Sequence, residues 1–189
     1  MINRPSTFFL LLILFAVIMS ASGCSTRYMV KGQVVDAETG KPIEGAAVAI
    51  KWYEYKFGPP YASGYNKIET AEDLSDADGY FQLAKYTSKL HYMGVYKTGY
   101  VCWDSETIFH PERLFYETRF EKRKDHKIND GMIVKLAPFK KDYPRDKHAS
   151  YTVNVGGRLS IPGLGFFDKA IEYETQLYIK YFRKKSESE

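Results

Sequence analysis

The sequence predicts a mostly β chain: an antiparallel β-sandwich followed by a C-terminal amphipathic helix. Three observations predict it. Val30, Gly32 and Val34 alternate with Lys31 and Gln33, the period-2 pattern of a strand with one buried face. Turn formers from Asp36 to Pro42 lead into Val48, Ile50 and Trp52 at the same spacing, and a later turn, Ser75 to Gly79, feeds Phe81 and Leu83. From Phe166 to Arg183 the apolar period lengthens to that of a helix. Strand, turn, strand, later turn and strand is the order that a sandwich requires.

In the first segment Gly40 is placed to take positive φ and Pro42 fixes its own. The run G-x-V-x-D-x-x-T-G-x-P-I-x-G-A-x-V (Gly32 to Val48), then D-x-D-G-Y-F (Asp76 to Phe81) and Lys97-Thr98-Gly99-Tyr100 resembles the carboxypeptidase regulatory-like domain family. These are small immunoglobulin/transthyretin-like β-sandwiches, and the resemblance covers about Met29 to Pro138. It implies the fold. It is nearly silent about function, because such a module is attached to many different proteins.

The N-terminus speaks of location. Arg4 precedes an unbroken apolar run from Phe8 to Met19, and Ala21-Ser22-Gly23-Cys24 follows it. That run is shorter than the about 20 residues a bilayer span needs, and its flanks are those of an export signal. The small residues before Cys24 resemble a bacterial lipobox, with Ala21 where Leu is usual. Residues 1–23 are therefore expected to be a lipoprotein signal peptide, with Cys24 the lipidation site and residues 24–29 a short tether to the membrane. Ser25 is compatible with outer-membrane sorting in lipoproteins that this N-terminus resembles, so a lipid-anchored protein of the cell envelope, facing the periplasm, is expected. The formal charge of +4 is too mild to argue for nucleic acid.

The sandwich is expected over residues 30–137. Trp52 to Phe57 continues the second strand with a change of phase near Trp52, as a bulge produces. Gly58 to Tyr65, with two prolines, is a loop. Lys67 to Thr70, Lys89 to Tyr96 and Tyr100 to Trp103 are strand candidates. Glu112 to Asn129 is a charged insertion, and Met132, Val134 and Leu136 mark a closing strand after Asp130-Gly131. Residues 138–165 are a linker by composition, with an edge strand open at Tyr151–Val155. Residues 166–185 are the helix and 186–189 a polar tail. With 12 Phe and 16 Tyr the core is adequate without a disulfide. Once Cys24 is spoken for, Cys102 beside Trp103 reads as a buried small hydrophobe, a reactive thiol being the alternative.

No catalytic, cofactor or metal residue is assigned. His91, His110, His126 and His148 form no H-E-x-x-H pair, and neither a nucleophile elbow nor a phosphate loop is present. Glu72/Asp73 and Asp76/Asp78 are carboxylate pairs. A turn in which an Asp caps backbone amides, with Gly79 at positive φ, is the structural reading, and a calcium site the sharper one. The basic run Arg119, Lys122, Arg123, Lys124, His126 and Lys127 is either a solvated face or a contact for phosphate or anionic lipid headgroups. Tyr53, Tyr55, Tyr61 and Tyr65 are either packing residues or a platform for glycan or peptide.

Two functions remain open on the residues. The first is a non-catalytic envelope lipoprotein whose sandwich serves binding, assembly or support, with an envelope protein or glycan as partner. The second is a hydrolase of envelope peptide or glycan with a site scattered over loops. The helix is expected to dock on the sandwich through Phe166, Phe167, Ala170, Ile171, Leu177, Tyr178, Tyr181 and Phe182. Glu174 falls within that apolar arc, so it is expected to reach the rim or meet an Arg or Lys of the sandwich, a functional carboxylate being the sharper alternative.

Overall fold

The computed structural model describes residues 29–56, 58, 64–84, 90–113, 122–124, 127–159 and 165–186. The expected leader, Cys24, the prolines of the Gly58–Tyr65 loop, Tyr61, Arg119, His126 and the polar tail from residue 187 lie outside these residues. So do the side chains of Tyr55 and Tyr65.

Among the described residues, seven strands form two sheets. The first contains β1 (Met29–Asp36), β4 (Tyr80–Ala84) and β7 (Met132–Leu136) in the order β4-β1-β7. The second contains β2 (Ala47–Lys56), β3 (Gly64–Leu74), β5 (Leu90–Tyr96) and β6 (Trp103–Asp104) in the order β3-β2-β5-β6. Val30, Val34, Phe81, Leu83, Met132, Val134 and Leu136 point inward from one sheet; Val48, Ile50, Trp52, Met93 and Val95 meet them from the other. The period-2 alternation that predicted these strands is thus the alternation between core and outer face. The phase change near Trp52 is a bulge between Glu54 and Tyr55.

Pairing is antiparallel except between β1 and β7, which run parallel. These two strands are the first and last of the sandwich, so no hairpin joins them and the chain between them serves as the crossover that a parallel pair needs. The strand expected from Tyr100 is shorter than predicted. Tyr100 makes only an isolated bridge to Pro138, and the ladder begins at Trp103.

The turn before β4 is built as its residues suggest. Asp76 Oδ1 accepts from the amides of Asp78 (3.0 Å) and Tyr80 (2.8 Å), and Gly79 adopts φ 76°. A Cβ on Gly79 would meet the Val34 carbonyl oxygen at 2.5 Å.

The main correction concerns residues 138–165. Where a linker with an edge strand was expected, Arg145–Leu159 is an α-helix, α1. Val153, Val155, Gly156 and Gly157 are poor helix formers, which hid it. Yet His148, Tyr151, Thr152, Val155, Gly156 and Leu159 recur at helical spacing and are all buried. Tertiary burial has overridden local propensity.

α1 and a second helix, α2 (Phe166–Ser186), cover the outer face of the four-stranded sheet. That face carries Ala47, Ala49 and Gly94 where the helices lie closest. A Cβ on Gly94 would meet Leu159 Cδ1 at 2.7 Å, Val155 Cγ1 at 2.9 Å and Phe167 Cζ at 3.2 Å. The small residues make a trough, and the helices fill it. α2 runs antiparallel to α1, with Ile171 over Gly156 and Glu174 beside Arg145. It docks through Phe167 and Ile171 as expected, but it outruns α1. Tyr181 and Phe182, on the same stripe, are therefore 43% and 63% exposed. Among the described residues, no helix is long and apolar enough to cross a membrane.

Candidate functional site

The residues singled out by the sequence are dispersed. Asp76 and Asp73 spend their carboxylates on backbone amides, Asp73 Oδ2 accepting from Gln82 at 2.8 Å. Glu72 caps α2, accepting from the amides of Gly165, Phe166 and Phe167 at 2.6, 2.9 and 3.1 Å. Among the described residues, His, Cys, Asp and Glu side chains form no group of three that could hold a metal. His91 packs edge-on against Trp52 at 5.3 Å, and His148 is buried in α1 far along the chain. Arg123, from the basic run, turns inward: its Nε donates to the Asp104 carbonyl at 2.9 Å and its guanidinium lies 4.9 Å over Trp103. Lys122, Lys124 and Lys127 are exposed.

Two polar clusters lie where helix meets sheet. In the first, Glu174 is fully buried. Its Oε1 accepts from the Tyr96 hydroxyl at 3.0 Å and lies 3.4 Å from His148 Nδ1 and 3.6 Å from an Arg145 nitrogen. Arg145 belongs to α1, so the cation comes from the segment expected to be a linker, not from the sandwich. Burial pushes the Glu174 pKa up, but His148, Arg145 and Tyr96 outweigh it and leave the carboxyl below its usual range. Burial and Glu174 together push the Tyr96 phenol up, so it stays protonated and donates.

His148 Nε2 accepts from the Cys102 amide at 3.1 Å. Glu174, His148 and Cys102 are thus the residue types of a nucleophile, its base and an orienting acid. The geometry is wrong for that chemistry, because the imidazole meets the backbone of Cys102 and not its thiol. Burial, and then Asp104, push the Cys102 thiol well up. A protonated thiol sealed from solvent is no nucleophile.

The second cluster surrounds Asp104, 1% exposed. Its Oδ1 accepts from the amides of Glu106 and Thr107, both at 2.6 Å, and its Oδ2 from the Thr107 hydroxyl and, at 3.0 Å, the Tyr151 hydroxyl. Beside it the Arg158 guanidinium pairs with Glu106 and covers the Tyr92 ring at 4.0 Å. Lys51 Nζ donates to the Arg158 carbonyl at 2.7 Å, capping the end of α1. Lys51, Tyr53, Tyr92 and Arg158 line a cleft of 170 Å³. Sequence reasoning singled out Tyr53 alone of these four. No local spacing joins Lys51 to Arg158; only the docking of α1 does.

No protein-family model matches the chain, and no curated protein matches it. Similar solved structures include the C-terminal domain of shaft pilin SpaA from Lactobacillus rhamnosus GG: 16% identity, 59% of this chain, 98% of that one, TM-score 0.32. Another is 3-chlorocatechol 1,2-dioxygenase from Rhodococcus opacus 1CP: 15% identity, 59% of this chain, 60% of that one, TM-score 0.36. A third is the group B streptococcus pilus 2b backbone protein: 12% identity, 60% of this chain, 42% of that one, TM-score 0.31. These likenesses lend no weight to a pilin-like or a dioxygenase-like role.

Proposed function

We propose that the chain is a non-catalytic β-sandwich module of the cell envelope, anchored by lipid on Cys24 and serving binding, assembly or structural support. One observation carries the non-catalytic reading. The buried groups best equipped for chemistry, Asp104, His148, Glu174 and Cys102, are engaged in joining the two helices to the sheet. All four are buried beneath the helices, out of reach of a substrate.

The location rests on Phe8 to Met19 and Ala21-Ser22-Gly23-Cys24. More than one acyl chain on Cys24 makes anchoring durable, since each buried methylene contributes about 0.8 kcal/mol. Ser25 supports the outer membrane, periplasmic side. Membership of the carboxypeptidase regulatory-like family is supported by the roles its motif residues take: Gly40, Gly45, Gly79 and Gly99 all adopt positive φ, and Asp76 caps its turn.

The experiment is metabolic labelling with a fatty-acid analogue, followed by crosslinking in intact cells. Label on the wild type and none on Cys24→Ala is the expected result, with an envelope protein or glycan crosslinked to the membrane-bound form. Equal labelling of both chains overturns the anchor. Turnover of envelope peptide or glycan by the purified protein overturns the non-catalytic reading.

A further inference from the structure

The cleft lined by Lys51, Tyr53, Tyr92 and Arg158 gathers hydrogen-bond donors that the described residues leave unspent. Lys51 and Tyr92 are register partners on β2 and β5, so both side chains leave the outer face of the sheet together. The end of α1 brings Arg158 onto the same spot. Lys51 gives one N–H to the Arg158 carbonyl and keeps two further donors. Arg158 is paired with Glu106 and lies near enough to the Asp104 carboxylate for its pKa to be raised, against burial, by both acids. Burial, then the Arg158 charge, hold the Lys51 pKa below its ordinary value, as expected for a cation partly withdrawn from water beside a second cation.

A second observation is independent of charge. The Tyr92 side chain is 2% exposed, and its hydroxyl has no hydrogen-bond partner among the described residues. Buried hydroxyls are nearly always paired. Two ammonium donors, a guanidinium and an unpaired phenol converging on one cleft are complementary to an oxyanion. At about 30 Å³ for each water-sized group, 170 Å³ holds a carboxylate with a few attached atoms.

We propose that this cleft, between the outer face of the four-stranded sheet and the end of α1, binds the carboxylate of a small organic anion. Lys51 and Arg158 meet the charge, Tyr92 donates to an oxygen, and the Tyr53 ring borders the carbon end. The site does not depend on lipid at Cys24, so either proposal can fail without the other.

The test follows the thermal midpoint of the purified full chain in sodium acetate against sodium chloride at equal ionic strength. Ligand that binds only the folded state raises the midpoint in a saturable way. A saturable rise in acetate beyond chloride is expected. Lys51→Met and Tyr92→Phe each keep the apolar body of the side chain and are expected to weaken acetate at least about 10-fold. Lys51→Met also removes a helix cap, so the quantity read is the acetate-dependent increment and not the baseline. NMR of the wild type alone gives a second readout: the Arg158 Nε–H signal is expected to shift with acetate along the same curve. No rise beyond chloride, or an equal acetate increment in both variants, overturns the site. A larger increment with inorganic phosphate overturns the carboxylate assignment.

Discussion

Glu174 Oε1 lies 3.4 Å from His148 Nδ1, and both side chains are fully buried between α2 and α1. His148 Nε2 is already an acceptor for the Cys102 amide, so the ring proton of the neutral imidazole sits on Nδ1, facing the carboxylate. Tyr96 donates to the same oxygen from β5. One acid therefore ties two consecutive helices to a strand far earlier in the chain.

That arrangement predicts acid sensitivity. The folded pKa of Glu174 is below its ordinary 4.5, so the unfolded chain takes up the proton first as pH falls. The stabilisation is complete above about pH 4.5 and is lost as pH drops through the lower folded value. Glu174→Gln is expected to cost about 1–3 kcal/mol at pH 7 and to flatten the fall in stability below pH 4.5. Urea melts of both chains between pH 3 and 7 check this; parallel pH profiles would contradict it.

Cys102 is predicted to be inert while the chain is folded. Its thiol is 2% exposed and its pKa is pushed well up by burial. In a Cys24→Ser background, alkylation at pH 8 is expected to be at least about 100-fold slower than in urea, since the reagent must wait for opening. Comparable rates in both conditions would place the thiol at the surface.

Gly79 should tolerate no branched residue. At φ 76°, with the Val34 carbonyl 2.5 Å from where a Cβ would stand, Gly79→Val meets both backbone strain and a clash with main chain. The expected loss is about 2–4 kcal/mol, read from the denaturation midpoint. A neutral substitution would mean that the turn rearranges.

The sheets were legible because their signals are local. Val30 to Val34, Phe81 and Leu83 alternate within a few residues, and Gly79 announces its own backbone angle. The helical cover was only half legible. α2 has a stripe of large apolar residues, whereas α1 presents His148, Thr152 and Gly156 to the interior, residue types that do not read as core. Missing α1 meant missing what it carries. Arg145 and His148 meet Glu174, Tyr151 meets Asp104, and Arg158 meets Lys51 and Tyr92. None of these pairings is local, the shortest being His148 with Glu174 across two helices, so the site emerges from docking and not from spacing.

The last prediction concerns how that docking is directed. Glu72 leaves β3 on the same face as Ala49, its register partner on β2, and receives the amides of Gly165 and of the first two residues of α2. Those amides have no partner within the helix, and the macrodipole places positive charge there, so a carboxylate satisfies both at once. The contact fixes where α2 starts and so which residues fall into the Gly94 trough. Glu72→Ala is expected to cost about 1–2 kcal/mol, the loss of a helix cap. Truncation after Pro162 removes α2 altogether, and with it the burial of Phe167 and Ile171, each contributing about 1.5–3 kcal/mol. The truncated chain should therefore melt well below Glu72→Ala, and Glu72→Ala below wild type. If truncation costs no more than Glu72→Ala, the apolar contacts of α2 contribute little, and its docking rests on the cap alone.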